Sequence, residues 1–267
     1  MIEQRRTHLA VTAGLLIVSA AFAQRGFRGF ADDEDNPAPM PADAAEKTEW
    51  VFGRLRYSSG SGGRRYWGGG SWGTDYPKAD RQFVQGVRRL TRIHTKSVEQ
   101  VVDIDSDDIF TVPWIYAVEV GYWSLDERQA ARLRQYLLRG GFLMTDDFHG
   151  TEQWAGFLDS MARVFPDRPI ADLEDSNAIF HVLYNLDQRF QVPGIQMFRS
   201  GRTSERDGYD PKWRGILDDK GRVMVAICHN MDLGDAWEWA DHPRYPENYA
   251  SLAYRVGVNY IIYAMTH

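Results

Sequence analysis

Gly140-Gly141-Phe142-Leu143-Met144-Thr145-Asp146-Asp147-Phe148-His149-Gly150 decides the reading of the chain. The glycine pair ends a helix, since glycine takes the left-handed turn that closes a helix at little cost. A short apolar strand follows, and two carboxylates and an imidazole stand where it stops. In open α/β sheets ligands bind beyond the carboxyl ends of the strands, so polar groups gathered there mark a candidate site. Asp146, Asp147 and His149 are therefore the candidate catalytic residues, as general bases or metal ligands.

Working outward, Ser124-Leu125-Asp126-Glu127 reads as a capping box opening the helix through Ala130, Leu133, Tyr136 and Leu137. Before it, Trp114 to Val120 is an apolar run broken only by Glu119, as a strand buried on both faces would be. Glu119 is either a pocket carboxylate or an edge residue. Residues 50–57 alternate as a first strand, and Asp75-Tyr76-Pro77 opens a helix with Phe83, Val84, Val87, Leu90 and Ile93 at helical spacing. Val98 to Ile104 is a further strand. The acidic run after it, Asp103 to Asp108, lacks the glycine and final glutamate of a calcium loop and reads first as a solvated turn.

Downstream, Thr151 caps a helix carrying Trp154, Phe157, Leu158, Met161 and Val164. His181, in the apolar run Ala178 to Tyr184, reads as a hydrogen-bonded core residue. Trp213 to Leu217 and Arg222 to Cys228, joined by Asp218-Asp219-Lys220-Gly221, form a hairpin. Its second strand runs into His229-Asn230-Met231-Asp232-Leu233-Gly234-Asp235, a second polar cluster at a strand end, and a helix from about Tyr249 to Ala264 closes the chain. Alternation of this kind predicts an α/β fold: a mostly parallel sheet with helices on both faces, plus a β-hairpin near the C-terminus.

Ser58 to Gly73 is a loop rich in glycine, arginine and aromatic residues. Loops this long inside a compact domain are functional or disordered. In the functional reading, Arg64 and Arg65 hold an anion while Trp67 and Trp72 stack on a glycan or other flat ligand; in the plain one, the loop folds over the sheet edge. No Gly-Lys-Ser/Thr follows, which excludes a Walker loop. His229, Asn230 and Asp232 complete the ligand-binding candidates. The donors Asp147, His149 and His229 suit a divalent metal as cofactor.

The chain has 267 residues and a formal net charge of −6. Residues 1–23 carry Arg5 and Arg6, an apolar run from Leu9 to Phe22 and Ala21-Phe22-Ala23, the layout of a cleavable export signal. They predict a periplasmic protein, with an uncleaved inner-membrane anchor as the alternative. Residues 24–49, acidic and proline-bearing, read as a disordered linker, leaving 50–267 as the folded domain. That domain is only mildly acidic, which argues against a nucleic-acid partner. Cys228 is the lone cysteine, so no intramolecular disulfide supports the fold.

Tyr136 to Gly150, Gly221-Arg222-Val223 through Asp235-Ala236-Trp237-Glu238, the Asn259-Tyr260 helix, the Ser-Ser-Gly-Ser-Gly-Gly loop and Thr74-Asp75-Tyr76-Pro77 resemble the bacterial family called domain of unknown function 4159. The resemblance covers residues 50–267. It implies a flavodoxin-like sheet of the class I glutamine-amidotransferase-like superfamily, near trehalose-utilisation-type proteins, and partners such as MoxR-type ATPases and von Willebrand A proteins of the envelope. It implies no established reaction. A glutaminase needs a cysteine at the strand-to-helix elbow and a His-x-Glu pair. Here the elbow holds Asp146 or Asp147, no His-x-Glu occurs, and Cys228 falls in the hairpin, where it reads as a small buried hydrophobe. Two functions stay open: a ligand-binding or assembly module of the cell envelope, and a hydrolase, metal-assisted or not, using Asp146, Asp147 and His149.

Overall fold

The computed structural model describes residues 40–60 and 71–267, within one compact unit, Met40–His267. The apolar runs form seven strands: β1 (Gly53–Arg56), β2 (Gln100–Asp103), β3 (Trp114–Val118), β4 (Phe142–Asp146), β5 (Ala171–Asp172), β6 (Lys212–Leu217) and β7 (Val223–His229). They make one sheet in the order β2-β1-β3-β4-β7-β6-β5. The first five of that order are parallel; β6 runs antiparallel to β7, and β5 antiparallel to β6. The parallel part follows the flavodoxin-type order, whose switch point lies between β1 and β3. β2 and β5 are the two edges.

Every residue of β3, β4 and β7 is buried, which explains why these runs are apolar without alternation. Alternate side chains still serve different layers. Trp114, Tyr116, Phe142 and Met144 face a core shared with α1 (Lys78–Leu90), whereas Ile115, Ala117 and Leu143 face one shared with α2 (Glu127–Leu138) and α3 (Gly150–Val164). The short helices α4 (Ile195–Arg199) and α5 (Leu233–Glu238) and the long α6 (Glu247–Thr266) complete the first layer, where Trp237 stacks on Phe83 at a centroid distance of 4.2 Å. No helix among the described residues is long and apolar enough to cross a membrane.

Local chemistry differs from the sequence expectation in four places. The capping box of α2 is Asp126 with Gln129, not Ser124 with Glu127: Asp126 accepts from the Gln129 N–H at 2.8 Å, and Gln129 accepts from the Asp126 N–H at 3.3 Å. Thr151 lies inside α3, which is capped from outside by the Asn230 side chain on the Gly150 N–H and by Asp207 on Thr151. His181 is exposed rather than core, held by Asn185 and the Asp175 carbonyl. Residues 40–49, assigned by composition to the linker, dock on the domain: Asp43 accepts from the Ser97 N–H and hydroxyl and pairs with Arg88.

Gly140 (φ +102°) ends α2 as expected, and Gly221 (φ +83°) turns the β6–β7 hairpin. The acidic run after β2 is an ion-paired turn, with Asp103 on Arg56, Asp105 on Arg128 and Asp107 on Arg132. The export segment 1–23 and the linker up to residue 39 lie outside the described residues, as do Arg64, Arg65 and Trp67.

Candidate metal centre

β4 delivers its two carboxylates to different tasks. Asp146, fully buried, turns Oδ2 toward the first turn of α5 and accepts from the Leu233 N–H at 2.6 Å, the Gly234 N–H at 3.0 Å and the Tyr116 hydroxyl at 3.2 Å. Asp232 at the N-cap accepts from the Asp235 N–H at 2.8 Å. The helix thus has three otherwise unpaired donors met by two carboxylates, a favourable placement of negative charge at a helix start. Asp146 is a structural clamp, and only its Oδ1 lacks a partner. Burial lifts its carboxyl to about 7 against the pull of those backbone donors.

Asp147 is the elbow. Its φ of +51° bends the chain out of β4, and its N–H is fixed on the Met231 carbonyl at 3.0 Å, which ties the β4 exit to the β7 exit. A non-glycine residue in this region is strained, less so for Asp and Asn, whose short polar side chains bond locally. Asp75, Glu119, Arg206 and Asn230 share that conformation, and all five lie in loops around this end of the sheet. Strain of about 1–3 kcal/mol per residue concentrates where the surroundings hold a site in shape.

The Asp147 carboxylate meets two others. Single carboxylate oxygens of Asp75, Asp147 and Asp232 lie within 4.8 Å of one another, and the same holds for Asp75, Asp235 and Glu238. Two glycines allow this crowding. A Cβ on Gly194 would stand 2.5 Å from Asp232 Oδ2 and 2.9 Å from Asp235 Oδ2; one on Gly234 would stand 2.8 Å from Asp75 Oδ2 and 2.9 Å from the Tyr116 hydroxyl. Burial, reinforced by neighbouring carboxylates, raises the carboxyls of Asp75, Asp147 and Asp232 well above their usual range. Buried like charges at this spacing must be neutralised by shared protons or by a cation. An all-oxygen donor set suits a hard divalent ion.

Arg54 organises the far wall. Fully buried, it forms a two-pronged pair with Asp80 of α1 and donates to the Trp72 and Thr74 carbonyls, each at 3.4 Å, which fixes the backbone just before Asp75. Trp72, a ligand-binding candidate, is partly buried, with its ring beside Tyr76 and its carbonyl spent on Arg54.

His149 stands beside the cluster: Nε2 lies 3.1 Å from Asp147 Oδ1, Nδ1 has no partner, and burial holds the ring neutral by lowering its pKa to about 3. His229 is elsewhere. Its ring packs on Phe148 and Trp154, with Nε2 on the Gly150 carbonyl, and it belongs to neither carboxylate group. Asn230 caps α3 and donates to the Asp210 carbonyl. Of the sequence candidates, the structure therefore gathers Asp147, His149 and Asp232, with Asp235 of the same strand-end run, gives Asp146, Asn230 and His229 packing or capping contacts, and adds Asp75 and Glu238. The i, i+3 spacing of Asp235 and Glu238 was a signal for one helix face; nothing local marked Asp75. Cys228 is buried, its thiol pushed well up by that burial, and its Sγ lies 3.9 Å from the Tyr260 hydroxyl.

A search of curated proteins gave no match. The sequence profile described as Domain of unknown function (DUF4159) matches residues 51–265. Among the described residues the match spans every strand and α1 to α5, and reaches Met265 of α6. This chain belongs to the DUF4159 family.

Proposed function

We propose that the domain is a ligand-binding module that holds a divalent cation at the carboxyl edge of its sheet and presents it to an anionic ligand. The observation that carries this reading is the convergence of Asp75, Asp147 and Asp232 from three separate loops. Asp147 and Asp232 are buried and Asp75 partly so; carboxylates crowded at this spacing need shared protons or a cation, and a bound Mg²⁺ or Mn²⁺ would supply the second. The elbow, the two close-approach glycines and the Arg54 tether all support a preformed site.

A second reading, metal-assisted hydrolysis, is supported by one contact: His149 Nε2 lies 3.1 Å from Asp147 Oδ1, and its buried Nδ1 has no partner, which would put an imidazole beside a metal-bound water. Glutaminase chemistry finds no support, since the only thiol lies in β7 and not on the elbow, fully buried against the Tyr260 hydroxyl. Export to the periplasm, carried by residues 1–23, and envelope partners or a glycan as ligands belong to the same proposal; fractionation of the expressed chain tests the address.

Thermal unfolding of the metal-stripped protein, with and without Mg²⁺, Mn²⁺ or Zn²⁺, tests the core of it. A ligand at a hundred times its Kd stabilises by about 2.7 kcal/mol, and Asp147→Asn should remove that gain while leaving the metal-free melting point in place. Identical curves with and without every ion would eliminate the cation.

A further inference from the structure

We infer that residues 201–208 form a hinged strap across the carboxylate site, held shut by side-chain contacts of Arg206 and Asp207, which lifts to admit the ion and its ligand. The inference rests on the binding reading above and concerns how that site is reached. The strap leaves α4, whose Ile195 N–H is bonded to Asp235 beyond β7, and Arg206 reaches the turn that follows β3. Since β4 lies between β3 and β7, the strap crosses the strand end that carries Asp147. Arg206 donates to Glu152 of α3 at 2.7 Å and to the Tyr122 hydroxyl at 2.5 Å, and Asp207 accepts from the Thr151 N–H at 2.9 Å and hydroxyl at 2.7 Å. Beneath it, the position of a Gly194 Cβ is 2.5 Å from Asp232 Oδ2 and 3.4 Å from Glu205 Oε1, so the strap brings Glu205 to the rim of the cluster.

Access and anchoring both point to this segment. Asp147, Asp232 and His149 are 9 %, 5 % and 4 % exposed, so part of the wall has to move before anything reaches them. The floor cannot, because β4, β7 and α5 place Met144, Cys228, Leu233 and Trp237 in the core. The strap differs: no residue from 199 to 210 belongs to either apolar core. Among the described residues, the backbone bonds from Thr203 to Asp207 are local turns, the Gly208 N–H on the Glu205 carbonyl and the Tyr209 N–H on the Asp207 carbonyl. Its chief ion pair is to Glu152, whose side chain is 83 % exposed, and pairs so placed contribute little. Segments with few buried apolar contacts open locally at a small fraction of the cost of unfolding the domain. The two ends suit such a motion. Gly201 sits at φ +73° with nothing within 4 Å of where a Cβ would be, whereas Gly208 is buried against Asn230 and stays fixed.

Modification of the metal-free full chain by diethyl pyrocarbonate, located by peptide mass mapping, tests the strap without any ion. His149, 3.1 Å from Asp147, reports opening of the site; the exposed His181 calibrates the reagent; the buried Cys228 thiol, followed with a thiol reagent, reports loosening of the entire domain. Tyr122→Phe/Glu152→Ala removes both partners of Arg206 and leaves the strap and Asp207 untouched, and Arg206→Ala removes the same contacts from the other side. Each should speed modification of His149 about tenfold, the equivalent of about 1.4 kcal/mol of lost tethering, with His181 and Cys228 unchanged. An unchanged His149 rate in both variants, or a rise at His149 and Cys228 together, overturns the strap. Stopped-flow uptake of Mn²⁺ should accelerate by the same factor; Mn²⁺ bound at an unaltered rate while His149 reacts faster would overturn the strap as the way in. Faster His149 modification with no Mn²⁺ bound by any form supports the strap and overturns the cation reading alone.

Discussion

Replacing Asp80 by Asn should be the most damaging single change of one functional group outside the aromatic core. Arg54 and Asp80 are both 0 % exposed, and the guanidinium spends its donors on that carboxylate and on the Trp72 and Thr74 carbonyls. The substitution keeps the shape and removes the charge, stranding a cation in a low-dielectric layer next to the Tyr116 ring, 4.8 Å away. Breaking one side of such a buried pair costs about 3–5 kcal/mol. At roughly 2–4 °C per kcal/mol for a domain of this size, that is a fall in melting temperature of about 6–20 °C. The internal control is Arg56→Ala, whose pair with Asp103 is 50 % and 34 % exposed and should be worth about 0–1 kcal/mol. Thermal and urea unfolding of both variants, followed by circular dichroism, measure the difference. Equal small losses in the two would refute the claim that Arg54 is an uncompensated buried charge without Asp80. The double variant Arg54→Met/Asp80→Leu should recover much of the stability, since paired apolar replacements of a buried ion pair are often neutral, while still loosening the backbone ahead of Asp75.

Two further outcomes are expected. Asp146 has its carboxyl raised by burial to about 7, so the stability it contributes is complete below the unfolded carboxyl value and is lost as pH rises through 7; melting temperature of the metal-free protein should fall between about pH 4 and 7 and level off above, with a shallower slope in Asp146→Asn. Gly234→Ala places a methyl 2.8 Å from Asp75 Oδ2 and 2.9 Å from the Tyr116 hydroxyl, and should cost about 1–3 kcal/mol of stability as overpacking and abolish any Mn²⁺-dependent stabilisation, read in the same melts; retention of full stabilisation would separate Asp75 from the ion.

The sheet was legible because its signals are local. Periodicity located β1, β3, β4, α1 and the β6–β7 hairpin to within a few residues, and the Gly140-Gly141 stop falls where α2 ends. The site was legible in place more than in membership. Strand-end reasoning reached Asp147, His149 and Asp232, but sequence order cannot say which of two adjacent carboxylates turns toward a helix start and which toward a cavity. Asp146 went to the helix because α5 begins directly after β7 and its bare N–H groups face that strand end. α5 itself is six residues long, too short for periodicity to register, and with it went Glu238. Asp75 was read as the opening of α1. It reaches the cluster only through tertiary placement by Arg54, a residue that alternation assigned merely to a strand position. The α2 capping box shows the same limit at short range: Ser124 and Asp126 both head plausible boxes, but the Ser124 N–H is spent on the Ser58 carbonyl and Asp126 heads the box.

The lengths of the two outermost strands bear on how the molecule behaves in a crowd. β5 offers two residues and β2 four, and the latter is flanked by the charged Glu99 and the ion-paired Asp103. An unpaired strand edge is a template on which another chain can add, and short, charged edges blunt it. Five of the seven strands are locked between neighbours, so a stray polypeptide finds almost no free ladder on either side. The apolar centre of this sheet can therefore be as greasy as β3 and β7 are without making the folded protein a seed for aggregation.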